Sequence, residues 1–261
     1  MEKIQAYLDL ATQCAREAGD YAKSIRASEL TIQTKSNAMD LVTQVDKRNE
    51  AAIRDRVLGI HPDHSFLGEE MGGSRERVGG VRWIIDPIDG TINFAHGLPI
   101  WCVSIGVEVD GIVECGAIYQ PNLNEMFTVT RGGGAFLNGE AIHVSTVDDP
   151  ERSLFVTGFP YNVNQNPGNV IEQFSLFLRK GWLVRRLGSA ALDLAYVACG
   201  RFDAFWEPFL SPWDTAAGYL LVEEAGGRTT HYDGKPYAPH APSIVASNGL
   251  QHDSVLAMLT A

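Results

Sequence analysis

Between residues 101 and 145 the chain alternates apolar and polar side chains, and this stretch limits the architecture more than any other. Trp101, Val103, Ile105 and Val107 fall on one face. Asp110-Gly111 is a hairpin pair, because both residue types accept the positive φ of a tight two-residue turn. Further strands are expected over 112–119 and 125–130, joined through Pro121-Asn122-Leu123-Asn124, with another turn at Arg131-Gly132-Gly133-Gly134. Connections this short join antiparallel neighbours, which excludes a purely parallel, doubly wound sheet.

Ile4, Leu8, Ala11, Ala15, Ala18, Ala22 and Ile25 recur at steps of three or four and predict an amphipathic helix over 3–27. Asp46, followed by Lys47-Arg48-Asn49-Glu50, predicts an N-cap and a second helix ending near 58, with Ile53 and Val57 inward and Gly59 and Pro62 as its stop. Strands are expected at 65–68, running into Glu69 and Glu70, and at 81–85. The Gly-rich, charged stretch 71–80 between them reads as a mobile surface loop. The polar stretch 146–153 is the expected boundary between an N-terminal half (1–147) and a C-terminal half (148–261). After it, helices near 169–180, 189–199, 213–225 and 249–260 alternate with strands near 182–187, 202–206 and 243–246, and 162–169 is a loop.

The chain has 21 Lys+Arg against 32 Asp+Glu, a formal net charge of −11. That balance lacks the basic footprint of a nucleic-acid binder. An acidic chain that handles an anionic substrate needs a local remedy, such as metal ions or helix N-termini. The four cysteines, Cys14, Cys102, Cys115 and Cys199, form no CxxC pair and read as reduced thiols. Charges break up the apolar residues of the N-terminus, unlike a secretory leader, and no apolar run approaches the ~18 residues of a membrane span. A cytoplasmic protein is the expectation.

The segment Trp83-Ile84-Ile85-Asp86-Pro87-Ile88-Asp89-Gly90-Thr91 carries the most chemistry. An apolar strand runs into Asp86, and Pro87, which has no N–H, is expected to end it. A second carboxylate follows at Asp89, and Gly90-Thr91 opens a helical turn whose free amides attract an anion. Two carboxylates and the Ile88 carbonyl form an all-oxygen donor set, which suits Mg²⁺ or Mn²⁺ rather than zinc. Taken alone, Asp86 and Asp89 could equally form an Asx-turn and a helix cap. Company changes that balance. Gly68-Glu69-Glu70 also places carboxylates at a strand end, and Pro212-Trp213-Asp214 places one at the start of an Ala-rich helix. Asp46 closes Asp40-Leu41-Val42-Thr43-Gln44-Val45-Asp46. Each alone reads as a surface pair or a cap.

Taken together, these motifs resemble the inositol monophosphatase family of magnesium-dependent, lithium-sensitive sugar phosphatases. The likeness rests on Trp83–Thr91, on Trp213-Asp214-Thr215-Ala216-Ala217-Gly218 with Glu224-Ala225-Gly226-Gly227 after it, and on the two upstream segments, and it runs over the whole chain. It implies a layered α-β-α-β-α sandwich, a mixed α+β architecture of the fructose-1,6-bisphosphatase type, and a homodimer. Glu69, Asp86 and the Ile88 carbonyl would hold one ion. Asp86, Asp89 and Asp214 would hold a second, and Glu69 would touch a weaker third. Thr91 would orient the attacking water, with Asp46 accepting its hydroxyl proton. Glu70, read as the more exposed neighbour of Glu69, would play a supporting catalytic part. The amides of Gly90 and Thr91 would bind phosphate. Gly188, Ser189, Ala190 and Glu207, with Asp89, would meet the substrate's hydroxyls. Independently of any likeness, several carboxylates in one pocket repel one another, and two or three divalent ions turn that liability into a site for a phosphate dianion.

The implied activity is hydrolysis of inositol 1-phosphate or a related small polyol or sugar phosphate by a metal-activated water. Fructose 1,6-bisphosphate, histidinol phosphate and 3′-phosphoadenosine 5′-phosphate are rival substrates on the same architecture. Arg185-Arg186 either approaches a second negative group of the substrate or is a solvated strand end. A regulatory binding protein of the same fold is the alternative of another class. No membrane or nucleic-acid partner is expected.

Overall fold

A computed structural model describes residues 2–35, 40–73 and 79–260. Residues 74–78 of the expected 71–80 loop lie outside the described residues. The chain opens with helix α1 (Glu2–Ser24), the mutually paired strands β1 (Ile32–Thr34) and β2 (Leu41–Thr43), helix α2 (Gln44–Ile60) and strand β3 (Ser65–Gly68). Strand β4 (Val81–Asp89) and the short helix α3 (Thr91–Ala95) follow. Then comes the meander: β5 (Cys102–Val109), β6 (Ile112–Gln120), β7 (Glu125–Thr130), β8 (Gly134–Leu137) and β9 (Glu140–Ala141). Strands β3 to β9 build one seven-stranded sheet in sequence order, antiparallel except for β3 against β4.

The rest of the chain supplies β10 (Leu154–Thr157), α4 (Val170–Arg179), β11 (Leu183–Arg185), α5 (Ala190–Ala198), β12 (Ala204–Pro208), α6 (Pro212–Glu224), β13 (Arg228–Thr230), β14 (Ser243–Ser247) and α7 (His252–Leu259). Its five strands lie in the order β11-β10-β12-β14-β13, with β10 parallel to both neighbours. Helices α1 and α2 cover one face of the larger sheet, burying Tyr7, Ala11 and Ile53 against Trp83, Ile105 and Cys115. Helices α5 and α6 lie between the sheets, with Leu194, Ala217 and Leu220 in one cluster with Ile118, Phe127, Phe205 and Ile244. Phe177 on α4 and Val255 on α7 pack over the outer face of the second sheet, against Phe155, Trp206 and Val245. The result is the α-β-α-β-α sandwich.

Helix α6 approaches the larger sheet closely because that sheet offers glycines beneath it. A Cβ on Gly106 would lie 2.7 Å from the Ala216 Cβ, and one on Gly116 would lie 2.8 Å from the Ala217 Cβ. Gly106→Val is therefore expected to cost about 1–3 kcal/mol by overpacking. A lowered urea midpoint at unchanged slope would report it; an unchanged midpoint would mean that α6 can move aside.

Several expectations need correction. Helix α1 stops at Ser24, and Ala27–Glu29 form a separate 3₁₀ turn. Asp46 is not the N-cap of α2: Thr43 caps it, and Asp46 sits three positions in. Gly59 does not stop α2, which continues to Ile60. Pro87 does not end β4, because the ladder skips the proline through a bulge and resumes with Asp89 opposite Cys102. Trp101 precedes β5 and packs against Phe94 rather than with Val103, Ile105 and Val107. Strands β10 and β13 were not expected from the residue pattern. Cys14, Cys102 and Cys115 are buried and Cys199 half-buried, all four with free thiols. Among the described residues no helix is long and apolar enough to cross a membrane.

Candidate metal centre

The end of β4 places two carboxylates side by side. Asp86 pairs across the ladder with Ser104 and Asp89 with Cys102, and the bulge between them turns both into the same buried space. The Ile88 N–H donates to Asp86 Oδ1 at 3.0 Å, which fixes that carboxylate against its own turn. Gly90 follows at φ +95°, and a Cβ there would lie 3.0 Å from the Ile100 carbonyl and 3.2 Å from that of Gly188. Only glycine fits both the conformation and the close approach.

The third carboxylate arrives from the other half of the chain. Asp214 lies in the first turn of α6 and takes the Ser211 N–H on Oδ2 at 2.6 Å. Asp89 Oδ2 accepts from the Ser189 hydroxyl and the Ala191 N–H, both at 2.7 Å. Asp86, Asp89 and Asp214 thus each have one oxygen tied to a protein donor, and each offers a carboxylate oxygen to a cluster whose members lie within 4.8 Å of one another. Capping and clustering are compatible uses of a single carboxylate. Asp46 does the same at α2: Oδ2 takes the Thr43 N–H at 2.9 Å, while Oδ1 lies 3.1 Å from the Thr91 hydroxyl.

Burial is the main cause of strain in this charge set. It pushes the Asp86 and Asp214 carboxyls well above the usual carboxylate range, and repulsion from Asp89 and Glu69 adds to it. Asp89 is also raised by burial, against the pull of its Ser189 and Ala191 hydrogen bonds. Groups that hold protons this strongly are stabilised by a hard cation, and an all-oxygen set this close fits one.

Glu69 lies beside this cluster, with its Oε1 2.8 Å from the Lys35 ammonium. Burial raises Glu69 to about 7, with Lys35 opposing the shift. Lys35 also holds the Glu70 carboxylate. Burial works against the charge on Lys35, but the two glutamates outweigh it and raise the ammonium above its ordinary value. The expected order of exposure is reversed: the Glu70 side chain is 4% exposed and that of Glu69 18%. Two residues account for it: Glu50 on α2, whose carboxylate accepts the N–H groups of Glu70 and Met71, each at 2.7 Å, and Lys35, whose ammonium holds the Glu70 carboxylate.

These residues open onto a cavity of about 600 Å³ whose lining includes Lys35, Glu69, Asp89, Thr91, Glu207 and Asp214. Gly90, Gly188, Ser189 and Ala190 border it too. The Thr91 hydroxyl has two acceptors in reach, Asp46 Oδ1 at 3.1 Å and the Ile88 carbonyl at 2.9 Å. Burial lifts Glu207 to about 8, opposed by the Arg186 guanidinium, and its carboxylate rests over Gly158, where a Cβ would clash. Arg186 lines the cavity, whereas Arg185 turns to the Val184 carbonyl. Lys35, Glu50 and Asp193 escaped the reading of the sequence. Asp193 is buried on α5, and neither of its carboxylate oxygens has a hydrogen-bond partner among the described residues. A lone acid inside the apolar run 190–198 was the available signal.

Residues 3–261 match the model of the inositol monophosphatase family. The chain belongs to that family. It is accordingly a phosphoric monoester hydrolase, as its motifs implied. The inositol-1-monophosphatase of Synechocystis sp. is 40% identical, covering 99% of this chain and 90% of its own. The Nus factor SuhB of Escherichia coli (strain K12) is 42% identical, covering 92% of this chain and 91% of its own. An IMPase/NADP phosphatase solved in complex with Mg²⁺ and phosphate superposes with a TM-score of 0.87 at 25% identity, covering 99% of this chain and 97% of that one.

Proposed function

We propose that this inositol monophosphatase family member is a Mg²⁺-dependent phosphomonoesterase that hydrolyses inositol 1-phosphate or a related small polyol or sugar phosphate. The observation that carries this reading is the convergence of the Asp86, Asp89 and Asp214 carboxylates within 4.8 Å, the first two buried and the third half-buried. In this reading Glu69, Asp86 and the Ile88 carbonyl hold one ion, and Asp86, Asp89 and Asp214 hold another. A third ion touches Glu69, and Mn²⁺ can replace Mg²⁺. Such ions, when bound, supply Lewis-acid charge for the attacking water, the phosphate and the departing alkoxide.

The chain's own residues supply position. Thr91 orients the water through its hydroxyl, anchored on Asp46. The Gly90 and Thr91 amides bind phosphate oxygens at the opening of α3. Gly188, Ser189, Ala190, Glu207 and Asp89 meet the hydroxyls of the alcohol. Glu70 supports the site by sharing Lys35 with Glu69, which retains its second oxygen for an ion. Family membership further supports an N-terminal half (1–147) carrying most of the acidic ligands, a C-terminal half (148–261) carrying Asp214, a cytoplasmic homodimer, and inhibition by lithium.

The reading is tested by phosphate release across inositol 1-phosphate, fructose 1,6-bisphosphate, histidinol phosphate and 3′-phosphoadenosine 5′-phosphate. Excess chelator is expected to abolish turnover and added Mg²⁺ to restore it. Full activity in excess chelator would refute the metal requirement. The likeness to a Nus factor supports a second reading, a regulatory binding role on the same fold. Loss of the acidic centre separates the two, because binding needs no hydrolysis.

A further inference from the structure

Phe209 adopts a backbone conformation that phenylalanine ordinarily avoids. Its φ is +65°, in the left-handed region where a Cβ crowds the neighbouring carbonyl, and a bulky residue stays there only when its surroundings impose it. Two contacts do so. The Phe209 N–H donates to the Pro242 carbonyl at 2.8 Å. The ring rests on Gly168, where a methyl group would lie 3.3 Å from Cζ. Yet the ring is not hidden from water: Phe209 is 55% exposed and lines the same cavity as Asp89, Thr91 and Asp214. Folding alone gains little from a strained aromatic left largely in solvent.

The backbone that carries the ring is also constrained. It sits between Pro208, the last residue of β12, and Pro212, the first of α6, so both flanks of its short connection have fixed φ. Glu207 and Asp214 bracket that connection, and both line the same cavity as Phe209. Phe159 and Tyr161, from the loop after β10, line the cavity as well, and Tyr161 is 42% exposed. An acyclic polyol presents hydroxyls in all directions and gains little from such a wall. A planar ring gains from stacking on it.

We infer that Phe209 is a specificity-determining residue, an aromatic wall on which a planar ring of the substrate's alcohol stacks, favouring such phosphate monoesters over those of acyclic polyols. The inference rests on the phosphomonoesterase reading above. Adenosine 2′-phosphate and glycerol 2-phosphate test it, since both leave as secondary alcohols and differ in the planar ring. Phe209→Gly removes the ring and the strain together; Phe209→Ala removes the ring and keeps the strained φ. In both variants the ratio of kcat/KM for the adenosine ester to that for the glycerol ester is expected to fall about fivefold or more, through KM. Phe209→Trp is expected to keep the ratio. A ratio within about twofold of the parent in both variants, or a fall in Phe209→Gly alone, would overturn the inference, the second by assigning the effect to backbone freedom. A parent protein that hydrolyses neither ester but releases phosphate from inositol 1-phosphate with Mg²⁺ present would overturn the inference alone, whereas one that releases phosphate from none of the three would overturn the phosphomonoesterase reading and the inference with it.

Discussion

Asp89→Asn is expected to lower turnover by about 10³-fold or more while leaving the fold intact and making the metal-free protein more stable. The side chain's structural duty is to accept the Ser189 hydroxyl and the Ala191 N–H on Oδ2, both at 2.7 Å. An asparagine carbonyl oxygen serves both donors. Its amide group then takes the place of the other carboxylate oxygen and offers protons where a cation needs lone pairs. Losing one ligand of a hard ion forfeits several kcal/mol of transition-state charge stabilisation, and about 1.4 kcal/mol is tenfold in rate. Stability moves the other way. Burial, with carboxylate neighbours adding at Asp86 and Asp214, raises Asp86, Asp89 and Asp214 above the ordinary range, so the folded metal-free state binds more protons than the unfolded one. Their contribution is fully present below about pH 4 and is lost as pH rises through the raised values. Asparagine carries no charge and escapes part of that loss. In chelator at neutral pH the variant should melt above the parent, and Mg²⁺ should raise its Tm less. Parental rates of phosphate release would remove Asp89 from the metal centre. Loss of hydrolysis with a surviving regulatory phenotype would instead favour the binding role.

What could be read from the sequence was local. The 101–145 meander announces itself because alternation and Asp110-Gly111 are properties of adjacent residues. Asp86 and Asp89 stand three positions apart after an apolar run, so their convergence on one strand end is also local. The misreadings are non-local. Strand β10 has four residues, and its partners β11 and β12 lie 29 to 49 positions away, so nothing near Leu154 marks it. Pro87 ends a strand by propensity, but Asp89 regains a partner in Cys102 that no reading of 83–91 contains. Which of Glu69 and Glu70 turns outward is decided by Glu50 and Lys35, from an earlier helix and an earlier strand end. One signal was present and passed over. Thr43-Gln44-Val45-Asp46 and Ser211-Pro212-Trp213-Asp214 share the spacing of a capping box, which places each aspartate at the third helical position rather than at the cap.

That spacing also gives the second large effect its physical basis. Because Thr43 holds Asp46 Oδ2, through its N–H at 2.9 Å and its hydroxyl at 2.5 Å, Oδ1 is presented to Thr91 in a fixed direction. Burial raises the Asp46 carboxyl, and the hydrogen bonds from Thr43 and Thr91 pull it back toward the charged form that accepts a proton. A hydroxyl has one proton to donate and lone pairs to accept with. With its proton committed to Asp46 or the Ile88 carbonyl, Thr91 Oγ1 presents a lone pair to the donor that approaches it from the cavity, which in the proposed reaction is the attacking water. Thr91→Ala removes that acceptor without touching any carboxylate of the cluster. The expected result is a kcat lowered about 10²–10³-fold with KM within about threefold, since the lost contact aims the water rather than holding the ester. Thr91→Ser, which keeps the hydroxyl, should recover most of the rate. A large rise in KM at unchanged kcat would move Thr91 from aiming water to binding substrate, and equal losses in the serine and alanine variants would show that the methyl group, packed at the start of α3, is what the site requires.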